Sequence, residues 1–387
     1  MKIRQWANVA LLAASLLCGG CKGFWDAPPN GGGGGGGTTA SSGEFYVANT
    51  AASQIAGFYI NAGTITALPG SPYAMAAAPI SLTIAPNNSF LYASTINGIY
   101  LYTIAANGQL SLANNGNPIS SDQAVSMQVS ANNSWLIDAE SGVPQLFAIP
   151  INPSTGMAAS SVEQFVNLPA ANLQQLALSP DNLHVIAAMG TGGTAVIPFT
   201  PGNANPFGAV TTIPVLNTAG SALSVAVDPQ DRVFYVGETA ATAGSNTGGL
   251  RAFNLSTLAE LTNSPFASAG LAPYSILPVT LSGASYVYVA NRQVSDSATG
   301  VISGFSLSAS GTTYSLTALA STFTAGAHTV ELAEDNTGNF LFAVNYDGSP
   351  DLTGYTFSTT NAGYLTTAIS AATGTDPVQA SSIAALH

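Results

Sequence analysis

Short runs in which apolar and polar positions alternate recur down this chain, separated by Gly, Asn, Ser and Pro, and no long segment from Gly43 to His387 carries helical periodicity. The clearest is Pro79 to Ser94, PISLTIAPNNSFLYAS, in which a Pro-led run with Leu82 and Ile84 on one face turns at Pro86-Asn87-Asn88 into a second run, Phe90-Leu91-Tyr92-Ala93. That pattern predicts a β-hairpin. Its turn and second strand return as ANNSWLIDA at 131, PDNLHVIAA at 180, PQDRVFYVG at 229, NTGNFLFAV at 336 and, more loosely, GASYVYVAN from Gly283. FYVAN at 45 is a second half without a first, and PVQASSIAAL at 377 is a first half without a second. Together they supply one further unit.

First strands near 79, 124, 173, 222, 273, 329 and 377 give seven units about 50 residues apart, a period that suits four-stranded blades. The expectation is an all-β, seven-bladed β-propeller over 44–387, its ring closed by pairing of the C-terminal strand with the N-terminal strand so that no sheet edge is left open. An open β-solenoid or a pair of β-sandwiches would need no half-unit at either end. SPYAMAAAP at 71 and SPFASAGLAP at 264 are near copies that mark two of the blades as duplicates.

The residues before the head read differently. Lys2 and Arg4 precede an apolar run from Trp6 to Leu17, too short to span a bilayer and ending in small residues, the layout of a secretory signal. Gly19-Gly20-Cys21 resembles a bacterial lipobox, which implies that 1–21 is a lipoprotein signal peptide and Cys21 the lipidated residue. Cys18 stands where an aliphatic residue is usual, and ordinary cleavage with Cys21 free or paired to Cys18 is the alternative. Residues 22–43 contain seven consecutive glycines, Gly31 to Gly37, and should form a flexible tether of about 25 Å. Lys22 after the cysteine suggests, by resemblance to enterobacterial sorting, an outer-membrane destination.

Charge narrows the partners. Seventeen Asp and Glu residues fall between Glu44 and Asp376, against Arg232, Arg251 and Arg292 as the strong cations of the head, which has no lysine. Nucleic acid and anionic membrane surfaces are disfavoured by repulsion. Neither a cofactor motif nor a metal motif is evident, and the head should be monomeric. The loop Asn345 to Asp351 offers two carboxylates and an amide of the kind calcium takes, without an EF-hand pattern; a turn with Asx capping is the other reading.

FYVAN at 45, YVYVAN at 286 and FLFAVN at 340 resemble the YVTN-type repeats of the seven-bladed lactonase-like β-propellers, over nearly all of 44–387. The resemblance implies that fold. It also implies a family holding 6-phosphogluconolactonase, muconate lactonizing enzymes and many lipid-anchored surface proteins, with enzymes acting through His, Arg and Glu at one mouth of the ring, without a metal. No catalytic motif of that family carries over residue by residue, so position selects the candidates. Second-strand exits and first-strand entries share one mouth, which collects Glu140, Glu238, Arg292, Asp296, Tyr346, Asp347 and Asp351, and Asp122, His328 and Asp376.

Glu238, Arg292 and His328, from three successive blades, are the candidate catalytic set for general acid-base opening of a lactone. A phosphorylated substrate is disfavoured because this mouth offers a single cation. Glu331, Tyr346, Asp347 and Asp351 are the candidate binding residues. Aligned first strands place Ser81, Ser126, Gln175, Ser224, Ser275, Glu331 and Gln379 at one polar position, expected to point at the channel axis. Two functions stay open: a lipid-anchored envelope propeller binding a protein, glycan or small molecule, or a lactonase-like hydrolase.

Overall fold

The computed structural model describes residues 43–61, 63–160, 162–241, 247–294, 299–374 and 378–387. Cys21, the leader, nearly all of the tether, Asp296 and Asp376 lie outside them. The described chain is a ring of seven antiparallel sheets. From the axis outward, the innermost strands are Pro79–Ile84, Ala124–Val129, Gln175–Leu178, Ala222–Val227, Pro273–Leu281 and Thr329–Glu334 in blades 2 to 7, and Ala380–Ala385 in blade 1. Blade 1 is composite, because Gly43–Asn49 pairs antiparallel with Ala380–Ala385, Phe45 opposite Ala385. The seven blades and the closure expected from the half-units are both present.

The hairpin turns fold as their composition dictates. Asn88, Asn133, Asn182 and Asp231 occupy the left-handed region, which Asn and Asp tolerate better than other residues with a Cβ. Their side chains also tie neighbours together. Asn133 Oδ1 accepts from Asn87 N at 3.3 Å, Asn182 Oδ1 from Ala131 N at 2.8 Å and Asp231 Oδ1 from Asp181 N at 3.3 Å.

The recurring Tyr and Asn of the second strands are structural. Tyr46, Tyr92 and Tyr288 are fully buried, and each hydroxyl donates to a glycine carbonyl in the next blade: Gly108 at 2.7 Å, Gly156 at 2.9 Å and Gly363 at 2.7 Å. Those three glycines adopt positive φ and lie so close to neighbouring side chains that a Cβ would clash, so each is required to be glycine. Asn49, Asn291 and Asn345 are likewise buried, each amide engaged by a neighbouring Thr or Ser hydroxyl at 2.7 to 2.8 Å. The duplicated segments match in detail. Ser71-Pro72 and Ser264-Pro265 are both cis, and the two serine hydroxyls accept from third-strand amides, Gly57 N and Ala252 N.

Seven polar side chains join the inner strands into a closed circuit running in one sense. Ser382 accepts from Leu82 N, Ser126 from Leu176 N, Gln175 from Val225 N, Ser275 from Leu332 N and Glu331 from Ile383 N, while Ser81 and Ser224 donate to the carbonyls of Ala124 and Pro273, at 2.7 to 3.2 Å throughout. Six of the seven were expected at the axis; their polar atoms bridge to the next blade, and Ser81, Ser126, Gln175, Ser275 and Glu331 also line the spaces of the channel. The seventh is Ser382, which pairs with Ala48, and not Gln379, which precedes the strand and has a φ of 57°.

Candidate functional site

The same position that carries the circuit is preceded by a register shift in six blades, between Pro79 and Ser81, Ala222 and Ser224, Pro273 and Ser275, and Thr329 and Glu331, and opposite Glu140 and Asn49. A bulge of this kind re-aims one side chain. The bypassed residues are Ser381, Ile80, Val125, Leu223, Tyr274 and Val330, and with Gln174 of blade 4 they ring a cavity of about 420 Å³ in the mouth of the channel. Arg292, Tyr346, Glu331, Gln128 and Gln175 complete its wall. Gln128, Gln175 and Glu331 also line a second space of about 210 Å³ further along the channel, so these three mark its waist.

Arg292 follows the second strand of blade 6, Ala284–Asn291, and is half-buried. Its guanidinium lies 5.1 Å from the Tyr274 ring and 5.8 Å from the Tyr346 ring, and Nη1 donates to the Tyr274 hydroxyl at 3.2 Å. Such stacking holds the cation by its faces. Among the described residues it pairs with no carboxylate. Glu331 reaches the cavity from blade 7. Burial drives its carboxyl up to about 7, against hydrogen bonds from Ile383 N and Ser382 that favour the ionised form.

His328, at the entry to the strand bearing Glu331, has a φ of 52°, and its Nδ1 lies 2.5 Å from Asp347 Oδ2. Its carbonyl accepts from Tyr346 N at 3.0 Å, which binds the pair to a residue of the cavity wall. Five expected residues, Arg292, His328, Glu331, Tyr346 and Asp347, therefore gather on blades 6 and 7.

Glu238 and Asp351 do not join them. Glu238 is 1% exposed, with Oε1 accepting from Arg251 Nη1 at 2.8 Å and Oε2 from Leu216 N at 3.1 Å. Arg251 also binds Glu260 through Nε and Nη2 at 2.9 and 2.8 Å, donates to the Pro214 carbonyl at 2.8 Å and lies over Phe253. Burial alone would depress the Arg251 pKa, and the hydrogen bonds and charges of Glu260 and Glu238 outweigh it, so the net shift is upward. Glu238 is thus a clamp residue of blade 5, sealed from any ligand in the mouth. Asp351 is 0% exposed and accepts from Val378 N at 3.0 Å and Thr373 N at 3.1 Å, holding the segment that leads into the closing strand. The donors of the 345–351 loop point to different partners, and among the described residues no group of three or more His, Cys, Asp or Glu could hold a metal ion.

One acidic residue escaped the positional reasoning. Asp138 is 0% exposed, neither carboxyl oxygen has a hydrogen-bond partner among the described residues, and burial together with Asp122, Glu140 and Glu163 raises its pKa well above the ordinary value. Strand register gives the signal that marks it: the corresponding residues of the other blades are Val47, Ala93, Ala187, Val236, Val289 and Ala343.

No protein-family model matches the sequence, and no curated protein does. Among solved structures, a candidate 6-phosphogluconolactonase from Bacteroides fragilis superposes with a TM-score of 0.69 at 15% identity, covering 91% of this chain and 100% of its own. A second candidate 6-phosphogluconolactonase, from Bacteroides uniformis, gives 0.68 at 14%, over 89% and 100%. The periplasmic gluconolactonase of Pseudomonas aeruginosa gives 0.67 at 16%, over 89% and 99%. At such identities the likeness is one of fold: this chain is a seven-bladed propeller similar to those of lactonase-like proteins.

Proposed function

We propose that this protein is a lipid-anchored propeller of the cell envelope that binds a small polar ligand in the mouth of its channel. The observation that carries the reading is the composition of one cavity: Arg292 held between two tyrosines, Glu331 across from blade 7, and Gln128, Gln174, Gln175 and serines around them. Neutral amides and hydroxyls in a space of about 420 Å³ suit a hydroxylated molecule of monosaccharide size. The anchor rests on Gly19-Gly20-Cys21 and the glycine-rich tether after it. Thermal shift against a panel of monosaccharides, sugar acids and lactones tests the site. Stabilisation that disappears in Tyr274→Ala is the expected result, and a panel that shifts neither protein counts against it. Cys21→Ser should move the protein from a detergent-requiring membrane fraction to a soluble one; unchanged fractionation removes the anchor from the reading.

Lactone hydrolysis is the second reading, favoured by Glu331 and Arg292 lining one cavity in a fold shared with named lactonases. Ionised Glu331, with a pKa near 7, would take a proton from water as the water oxygen bonds to the lactone carbonyl carbon. Arg292 would stabilise the resulting oxyanion, and collapse would break the ring C–O bond, the alkoxide leaving as the alcohol with the proton from Glu331. Turnover of glucono-1,5-lactone above its spontaneous rate, lost in Glu331→Gln, is what this reading expects. A rate equal to the spontaneous one leaves the binding role.

A further inference from the structure

Arg292 is anomalous in its setting. The head has seventeen acidic residues and three arginines. Arg232 is held by Asp228 through Nε at 2.6 Å and Nη2 at 2.7 Å, and Arg251 by Glu238 and Glu260. Arg292 alone, among the described residues, has no carboxylate within ion-pair distance, although anionic side chains outnumber cations several-fold. Its faces are taken by Tyr274 and Tyr346, and one N–H by the Tyr274 hydroxyl. The remaining N–H groups lie along the edge of a planar fork, which matches the two oxygens of a carboxylate.

From this geometry, and resting on the reading of the mouth as a ligand site, we propose that the ligand is a hydroxylated monocarboxylate, a sugar acid whose carboxylate docks on the edge of Arg292. A neutral sugar leaves a half-buried cation without its counter-charge. A phosphate monoester brings two negative charges to one cation, in a head whose acidic excess repels the second. Glu331 in the same cavity strengthens that discrimination whenever it is ionised. Gln174, Gln128, Ser126 and Ser381 are left to meet hydroxyl groups, for which amides and hydroxyls are matched donors and acceptors.

The test is a charge series on one sugar frame, measured by isothermal titration calorimetry on the full chain: D-glucose, D-glucuronate and D-glucose 6-phosphate. Wild type should bind glucuronate at least about tenfold tighter than either relative, a preference that weakens with added salt. Arg292→Gln should reduce glucuronate affinity to that for glucose, and Arg292→Lys should restore only part of it, because an ammonium lacks the planar fork. Melting temperatures establish that both variants are folded. Equal affinity for glucose and glucuronate in wild type, or a preference that survives in Arg292→Gln, overturns the inference while leaving the mouth as a ligand site. Failure of all three sugars to bind wild type overturns the inference and the site together.

Discussion

Arg251 and Arg292 stand in adjacent blades at the same end of the ring, and their surroundings differ in kind. Arg251 is 5% exposed and meets two carboxylates, a backbone carbonyl and a phenylalanine ring, all from the protein itself. Arg292 meets two tyrosine faces and an open cavity. A charge removed from water needs partners. Where the chain supplies every partner the residue is part of the fold; around Arg292 the described residues leave the edge of the guanidinium unfilled. The same contrast separates two acidic groups: Glu238, whose two oxygens are both engaged, and Asp138, whose oxygens have no partner among the described residues.

The comparison can be broken most directly at Arg251. Arg251→Gln strips the counter-charge from Glu238, so we expect a loss of about 3–5 kcal/mol in urea unfolding. A loss below about 1 kcal/mol would mean that the clamp is not structural. Asp138→Ala, which copies the residue found in blades 2, 4 and 7, should instead stabilise the protein by about 1–3 kcal/mol at pH 7, the cost of a buried group without partners. Because the folded-state pKa of Asp138 is raised, the part of that cost linked to ionisation is absent below the pKa of the unfolded chain and is added as pH rises, while the burial of the neutral carboxyl costs the same throughout. The gain should therefore shrink near pH 4, and a gain that does not change with pH contradicts the assignment.

Glu331→Gln probes the waist more gently. Gln175 already performs the same bridging role in blade 4 through Oε1, so the circuit should survive the substitution. With a folded-state pKa of about 7 against an ordinary 4.5, protonated Glu331 contributes stability that is fully present below about 4.5 and lost as pH rises through 7. The variant should thus match wild type at pH 4 and exceed it by about 1–2 kcal/mol at pH 8, water in the cavity weakening the effect. Identical pH profiles would place its carboxyl in solvent. The smallest effect belongs to Arg292→Gln, expected to stay within about 0.5 kcal/mol of wild type in the absence of ligand. A loss as large as that of Arg251→Gln would abolish the distinction between the two arginines.

How far each feature could be read from the chain follows from the range of the interaction that creates it. PNNSFLYAS and its copies encode the hairpins locally, through left-handed Asn and the alternation of the following strand, and the half-units at 45 and 377 require closure. Bulges are not encoded in that way. A one-residue register shift exchanges the faces of a strand, so Ile80, Val125 and Val330, which alternation assigns to the core, line the cavity, while Ser81 and Glu331 reach across to the next blade. Arg251 pairs with Val236 across two strands, which sets its side chain on the same face as Glu238; that neighbour is fixed by register and is invisible from either loop. Asp138 is the converse, a carboxylate in a column of Ala and Val that sequence alignment of the blades could have exposed.

Blade 1 sets an order of events in time. Its strands Gly43–Asn49 and Gln54–Asn61 are made before those of any other blade, yet the innermost place beside them is filled by Ala380–Ala385. Until those residues have emerged from the ribosome, Tyr46, Val47 and Ala48 lack the strand that covers them, and no earlier segment carries the register that pairs Phe45 with Ala385. Closure therefore waits until Ala380–Ala385 has been made and joins two parts of the head that lie far apart in sequence, the kind of contact that slows folding. The six other blades can begin to assemble earlier, but the ring cannot lock before Ala380–Ala385 is in place beside Gly43–Asn49.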